Sequence, residues 1–452
     1  MIQYLKIKNF GPIKEEVELS FEATMQEELS DDIYTYVMSD GCRLLKLAYI
    51  YGANASGKTT VLNVFEFLRK LISKPLLDKS STLDYQPFLF CSDPAQTESF
   101  IELAFYANKV RHVYSVAFNK EAVLNEKLVY FHSAKPTELF SRETDLEKRV
   151  AKIHFGSKVK VLAKDRDRLE SNTLHNNTVL GAFTKTNVDI IDLNVLNIWF
   201  NSFLLGMINS STNIIDDTAA MIAGNPAANK WLDTFMNKAD QQINKVNADK
   251  EITFSGIRSI NPEKTVRFEY PLQGSFKTNT SLTAPIVTDT RKMYGGGDIF
   301  EFRRKVEFTH HTDDGVFVLP IDAESSGTQR YFSLGGPLYT LVHTPSFLLV
   351  DELETSLHPD LMKHFLQTFL ANAEQSQMLI TTHNIGLLEE IDFVRKDALW
   401  FSEKRTDGSA DLYSAADFDS SVLRKGASLV NAYRAGRLGA KPNLGSPFIS
   451  QE

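Results

Sequence analysis

Gly52-Ala53-Asn54-Ala55-Ser56-Gly57-Lys58-Thr59 follows an apolar run, Leu44 to Tyr51, and opens a segment of helical periodicity, Thr59 to Ser73. Val61, Leu62, Val64, Phe65, Leu68, Leu71 and Ile72 recur at the spacing of one buried helix face. Strand, glycine loop and helix in that order are what a phosphate cradle requires. Glycines let backbone N–H groups curl round an anion, and the helix N-terminus adds positive potential. The stretch fits GxxxxGK[ST], so Lys58 reaches the outer phosphates and Thr59 offers a hydroxyl to Mg²⁺. Gly52, Asn54, Ala55, Ser56, Gly57, Lys58, Thr59 and the adjoining Thr60 are the candidate nucleotide-binding residues.

Further along, Phe347-Leu348-Leu349-Val350-Asp351-Glu352 reads as a buried strand that delivers two carboxylates to the C-terminal rim of a sheet, where α/β proteins bind ligands. Asp351 would join Thr59 at the metal, and Glu352 would act as base toward the attacking water. Adjacent carboxylates after a strand also suit a helix N-terminus or a solvated turn. Ser325-Ser326-Gly327-Thr328-Gln329 precedes a helix around Arg330 to Val342 and offers hydroxyls and free N–H groups as a second anion site; alone, it is a helix cap. His383, between Thr382 and Asn384 after the strand Met378 to Thr381, could bond a γ phosphate, though a lone histidine at a strand end is commonly structural. Ser356-Leu357-His358-Pro359 opens the helix Pro359 to Asn372, and proline there is ordinary by itself.

The rest of the chain sets bounds. With 452 residues, 43% hydrophobic and 23% charged, it is long enough for two or three lobes. It shows no apolar run long enough to span a membrane and no signal-peptide pattern at Met1 to Lys6, so a cytoplasmic protein without membrane contact is expected. Cys42 and Cys91 have neither CxxC spacing nor nearby ligand histidines, which leaves buried free thiols as the default. The net charge of -8 argues against extensive nucleic-acid coating, and the run Lys158, Lys160, Lys164, Arg166, Arg168 is interleaved with acids and reads as a solvated face. Ile2 to Lys8 and Val17 to Phe21 form a hairpin-like opening, and Phe100 to Phe131 alternates as a β-meander. Asp189 to Asn209 and Thr218 to Val246 look helical with a break at Asn225-Pro226, Ile252 to Val287 returns to short strands, and a last strand falls near Ala398 to Ser402. The helical part lacks sustained heptads, so a long coiled-coil arm is not expected.

Phosphate loop, serine-glycine cap, DE strand, SLHP turn and TTHN, in that order, resemble the ABC-type ATPases related to chromosome-maintenance, RecF-type and OLD-type proteins. The opening Ile7-Lys8-Asn9-Phe10-Gly11-Pro12-Ile13, the run Tyr49 to Lys58, Asp351 to Pro359 and Ala432-Tyr433-Arg434-Ala435-Gly436-Arg437-Leu438-Gly439-Ala440 are similar to bacterial abortive-infection ATPases of the AbiL and RloA kind. The likeness covers both ends and leaves the middle unmatched. It implies an α/β fold, an ABC-type P-loop ATPase domain split by a β-meander lobe and a mixed helical and β insertion. The expected parts are 1–135, with the phosphate loop and meander, an insertion over 136–304, and 305–452, with cap, DE strand and histidine.

The same resemblance implies ATP and Mg²⁺ as ligands, with Lys58, Thr59, Asp351, Glu352 and His383 acting in cis and Ser326, Gly327 and Ser325 binding the γ phosphate in trans. It implies a homodimer of ATPase domains or a higher homo-oligomer, and anti-phage defence with a separately encoded effector. Related enzymes also use a glutamine at Mg²⁺; Gln86 lies in the right region, but it precedes Pro87, which holds it extended. Thr328 and Gln329 stand where many relatives carry Gly and Gln. After residue 402 no apolar strand ends in an acidic cluster, so no fused nuclease domain is expected and the toxic activity would reside in a partner. The alternative is a DNA-repair ATPase acting on duplex DNA, which a continuous basic groove would favour. A transporter subunit is a third reading, opposed by the large insertion.

Overall fold

A computed structural model describes residues 1–24, 31–261, 264–271, 292–295, 298–389, 394–418 and 428–441, with backbone alone over 31–32 and 250–303. The chain divides into two compact units. The first comprises Met1–Leu204, Leu349–Glu352 and Glu374–Glu452, and the second Leu205–Leu348 and Leu353–Ala373.

The first unit opens with β1 (Ile2–Lys8) and β2 (Val17–Ser20), paired antiparallel as the alternation requires. A short helix α1 (Asp31–Tyr34) and the hairpin β3 (Thr35–Val37) and β4 (Arg43–Leu45) lead to β5 (Leu47–Gly52) and α2 (Lys58–Ser73). Next come β6 (Ser99–Ala107), β7 (Val110–Phe118), β8 (Val123–Phe131), β9 (Thr137–Asp145) and β10 (Val150–Phe155), then α3 (Ala163–Asn172), α4 (Val179–Phe183) and α5 (Ile191–Ser202). The antiparallel sheet runs β10-β9-β8-β7-β6-β1-β2.

The second unit holds α6 (Ile215–Gly224), α7 (Pro226–Ala239), β11 (Ile243–Asn261), β12 (Lys264–Pro271), β13 (Lys292–Gly295), β14 (Asp298–Thr312), β15 (Gly315–Pro320) and α8 (Ser326–His343). Its strands are ordered β12-β11-β14-β13, with β15 also on β14. The expected break at Asn225 is an N-cap: its side chain accepts the Ala227 and Ala228 N–H groups, with Pro226 opening α7. β16 (Phe347–Val350) leaves this unit and enters the first, and α9 (Pro359–Asn372) follows. The first unit then resumes with β17 (Gln377–Thr382), β18 (Leu399–Lys404), β19 (Ala410–Ser414) and α10 (Leu429–Arg434). Its second sheet runs β16-β17-β5-β18-β19, parallel at β17/β5 and β5/β18. Every residue of β5, β16 and β17 is buried, which is why β16 reads as an unbroken apolar run and β5 as a nearly continuous one, while β17 also buries the polar Gln377, Thr381 and Thr382.

The α/β class and the meander are present, but the division differs from the three expected parts. The meander continues past residue 135 through β9 and β10, whose outward charges hid their alternation. Residues to 204 belong to the first unit because α5 packs on β6 there, with Trp199 stacked on Phe105 at 4.0 Å. The cap helix α8, expected with the C-terminal ATPase part, lies in the second unit. Helix was expected to Val246; α7 stops at Ala239, and Val246 is in β11. Of the short strands expected over 252–287, residues 272–287 lie outside the described residues.

Candidate nucleotide site

Sheet register fixes the site. β17 and β5 align Thr381 with Ile50 and Thr382 with Tyr51, while β18 aligns Ser402 with Gly52. β5 and β17 thus end within a residue of each other, at Gly52 and Thr382, while β18 passes Gly52 at Ser402 and runs on to Lys404. β16, on the far side of β17, brings Asp351 and Glu352 to the same rim.

Gly52 is required where β5 ends: a Cβ would stand 2.3 Å from the Ser402 carbonyl oxygen and 2.5 Å from Ser56 Oγ. The loop turns through Ala55 at φ 59° and Gly57 at φ 107°, the second a conformation glycine adopts without strain. Ser402 Oγ donates to the Ser56 carbonyl at 2.8 Å and pins the loop to β18. Lys58, buried, donates from Nζ to the Gly52 and Ala53 carbonyls, both at 2.9 Å. A cavity of about 390 Å³ lies over the loop, lined by Pro12, residues 54–60, Glu352 and His383.

Thr59 Oγ1 donates to the Asp351 carboxylate, 3.1 Å from Oδ1 and 3.0 Å from Oδ2. Thr381 Oγ1 donates to Asp351 Oδ1 at 2.5 Å and accepts the Glu352 N–H at 2.8 Å, so one hydroxyl orients both acids. Glu352 sits at φ 50°, a strained backbone for a non-glycine residue and one that concentrates at functional sites. Its Oε1 is 3.6 Å from His383 Nε2, and both side chains are part exposed to the cavity.

In the second unit, the Ser325 side chain caps α8 by accepting the Thr328 N–H at 3.1 Å. Its hydroxyl serves its own helix, leaving Ser326, exposed, and Gly327 at the helix start. A Cβ on Gly327 would approach the Ser356 carbonyl to 3.2 Å, so a side chain there would crowd the SLHP turn. Ser326, Gln329, Arg330 and Ser356 line part of a cavity of about 550 Å³ in this unit. Burial lowers the Arg330 guanidinium pKa, and its Nε and Nη2 have no hydrogen-bond partner among the described residues.

Lys58, Thr59, Thr60, Asn54, Ala55, Ser56, Gly57, Asp351, Glu352 and His383 therefore converge in the first unit, while Ser325, Ser326 and Gly327 lie in the second. Gln86 is not among the residues lining the phosphate cavity: it is exposed, and its carbonyl accepts the Gly11 N–H at 2.6 Å. The extended backbone forced by Pro87 accounts for that orientation. Sequence reasoning missed Thr381, Ser402 and Pro12. Thr381 precedes Thr382-His383 at the end of β17, but no local sequence signal pairs it with Asp351, whose strand becomes its neighbour only in the folded sheet.

This arrangement defines a class, an α/β domain of the P-loop ATPase kind. Residues 47–389 match the family model described as "AAA domain, putative AbiEii toxin, Type IV TA system", and the chain belongs to that family. None of the curated proteins matches it in sequence. Among solved structures it is similar to the SMC head domain from Thermotoga maritima, at 12% identity and TM-score 0.39, over 91% of this chain and 98% of that one. It is likewise similar to a Pyrococcus furiosus Smc head domain with an extended coiled coil, bound to the C-terminal domain of ScpA, at 10% identity and TM-score 0.39, over 96% and 98%. No helix among the described residues is long and apolar enough to cross a membrane.

Proposed function

We propose that this chain is a Mg²⁺-dependent ATP hydrolase of the cytoplasm, a nucleotide switch in bacterial anti-phage defence that governs a separately encoded effector, a nuclease being the expected kind. The observation that carries the enzymatic reading is the contact of the Thr59 hydroxyl with both oxygens of Asp351 beside the phosphate loop. Mg²⁺ prefers hard oxygen donors, keeps several waters and is held through one or two carboxylates plus substrate phosphates. A threonine hydroxyl and one carboxylate fit it, and the ion would supply charge neutralisation at the β and γ phosphates.

Lys58 exchanges its two carbonyl acceptors for phosphate oxygens when ATP enters, and such charge-assisted bonds are roughly twice as strong as neutral ones. Glu352 orients the attacking water and takes its proton, and His383 bonds the γ phosphate beside it. Ser326 and Gly327 of a second copy, with Ser325 holding their helix start, supply N–H and hydroxyl donors from the opposite side. The working form is then a homodimer or a higher homo-oligomer. The toxin–antitoxin wording of the family description supports the defence setting.

The test is recovery of the Glu352→Gln protein from its native cell in ATP and Mg²⁺, with mass spectrometry of what accompanies it. A stoichiometric companion protein supports the defence switch. Duplex DNA without a companion turns the reading to a DNA-repair ATPase.

A further inference from the structure

β15 carries Gly315-Val316-Phe317-Val318-Leu319-Pro320, six residues without a charge. It pairs with β14 from Thr312↔Gly315 to Glu307↔Pro320, in unbroken antiparallel register, and the strand order gives it no other neighbour among the described residues. Val316 is 62% exposed, Phe317 50%, Val318 54% and Leu319 39%. Successive strand residues point to opposite faces, so both faces are bare as well as the outer edge. Proteins ordinarily blunt such an edge with lysine, a bulge or an internal proline. None is present before the final residue, Pro320. Nor is the strand loose at its base: on β14, His310 Nε2 is 2.6 Å from Glu324 Oε1, just past the end of β15.

We propose that the outer edge of β15 is a docking strand for an extended segment of another protein, apolar over about four residues and flanked by lysines or arginines. The flanks decide the occupant. Asp313 and Asp314 stand exposed at the turn before the strand, and Asp322 stands exposed just after it. Antiparallel pairing of β15 with the same strand of a second copy, centred on Phe317 or Val318, brings Asp313 or Asp314 toward the other copy's Asp322. Parallel pairing sets the two aspartate pairs side by side. Like charges facing each other across strands oppose pairing, whereas basic flanks on a foreign strand meet acids at both ends. The acids and the lack of any cation on the strand likewise disfavour nucleic acid. This inference goes beyond the nucleotide switch, since it needs only the strand and its flanks.

The probe is a dye-labelled peptide of alternating valine and threonine with two lysines at each end, titrated by fluorescence anisotropy into the full chain; a glutamate-flanked peptide is the counterpart. Wild type is expected to bind the lysine-flanked peptide saturably. Val318→Lys should weaken that binding by about tenfold or more, because it places a like charge on the edge. The triple change Asp313→Lys, Asp314→Lys, Asp322→Lys should transfer the preference to the glutamate-flanked peptide. ATP binding, measured on every variant, reports that the fold persists and separates a failure here from a failure of the ATPase reading. No binding by wild type, or equal binding of both peptides, would overturn the proposal. So would light scattering in which wild type is larger than Val318→Lys, an outcome that assigns the edge to a second copy.

Discussion

On the proposed ATPase reading, Lys58 holds nucleotide while Thr381, bonded to Asp351 and to the Glu352 N–H, aims the acids. Lys58 is the one buried cation the loop wraps, so Lys58→Ala should lower nucleotide affinity by about a hundredfold or more, loss of a charge-assisted phosphate contact costing roughly 3 kcal/mol. Titration of a fluorescent ATP analogue checks it; equal affinity would sink the nucleotide assignment. Thr381→Val should act differently. It removes the hydroxyl shared by Asp351 and the Glu352 N–H while leaving the loop intact. Turnover should then fall about ten- to a hundredfold, from roughly 1.4 to 2.7 kcal/mol of lost orientation, with nucleotide affinity little changed. Steady-state ATPase kinetics beside equilibrium binding separate the two. The loop and the acidic pair could be read from sequence because GxxxxGK[ST] and an apolar strand ending in Asp-Glu each state their chemistry within a few consecutive residues. Thr381 could not, since its importance depends on β16 lying beside β17.

At the scale of elements, a buried polar brace joins the antiparallel sheet to α4. The Glu126 carboxylate on β8 accepts the Tyr114 hydroxyl at 2.9 Å and the Val179 N–H at 2.7 Å, at the first residue of α4. Arg142 on β9, fully buried, donates to the carbonyls of Val123, Leu174 and His175. Burial pushes the Glu126 carboxyl pKa up, while desolvation brings the Arg142 guanidinium down to about 10 despite its neighbour's charge. Glu126→Ala leaves Arg142 buried without its carboxylate, so a loss of about 3–5 kcal/mol is expected. A thermal or denaturant melt measures it, and a variant as stable as wild type would refute the brace. This part of the fold was hidden in the sequence for a related reason. Glu126 and Arg142 look like surface charges on alternating strands, and only the packing of 137–204 against the sheet makes them interior.

At the scale of the molecule, the composite-site reading makes a prediction that no single-chain site shares. The Lys58→Ala and Ser326→Arg variants should each be inactive alone. When mixed in equal amounts they should recover up to about a quarter of wild-type ATPase activity, since random pairing makes half the dimers mixed and each mixed dimer has one intact site of two. Recovery at baseline would mean that one chain completes its own site. The Glu352→Gln protein should also roughly double in mass by light scattering when ATP and Mg²⁺ are added.

The strand order β16-β17-β5-β18-β19 has a further consequence, which concerns synthesis. β5 leaves the ribosome early, yet both of its partners, β17 and β18, are encoded beyond most of the remaining chain. At about 5–20 residues per second, its wholly apolar surface and two open edges wait for many seconds before either neighbour exists. During that interval the nascent phosphate loop has no sheet to hold it. Nucleotide capture is thus a late event in the life of the polypeptide, and the half-made chain is the form most in need of a chaperone.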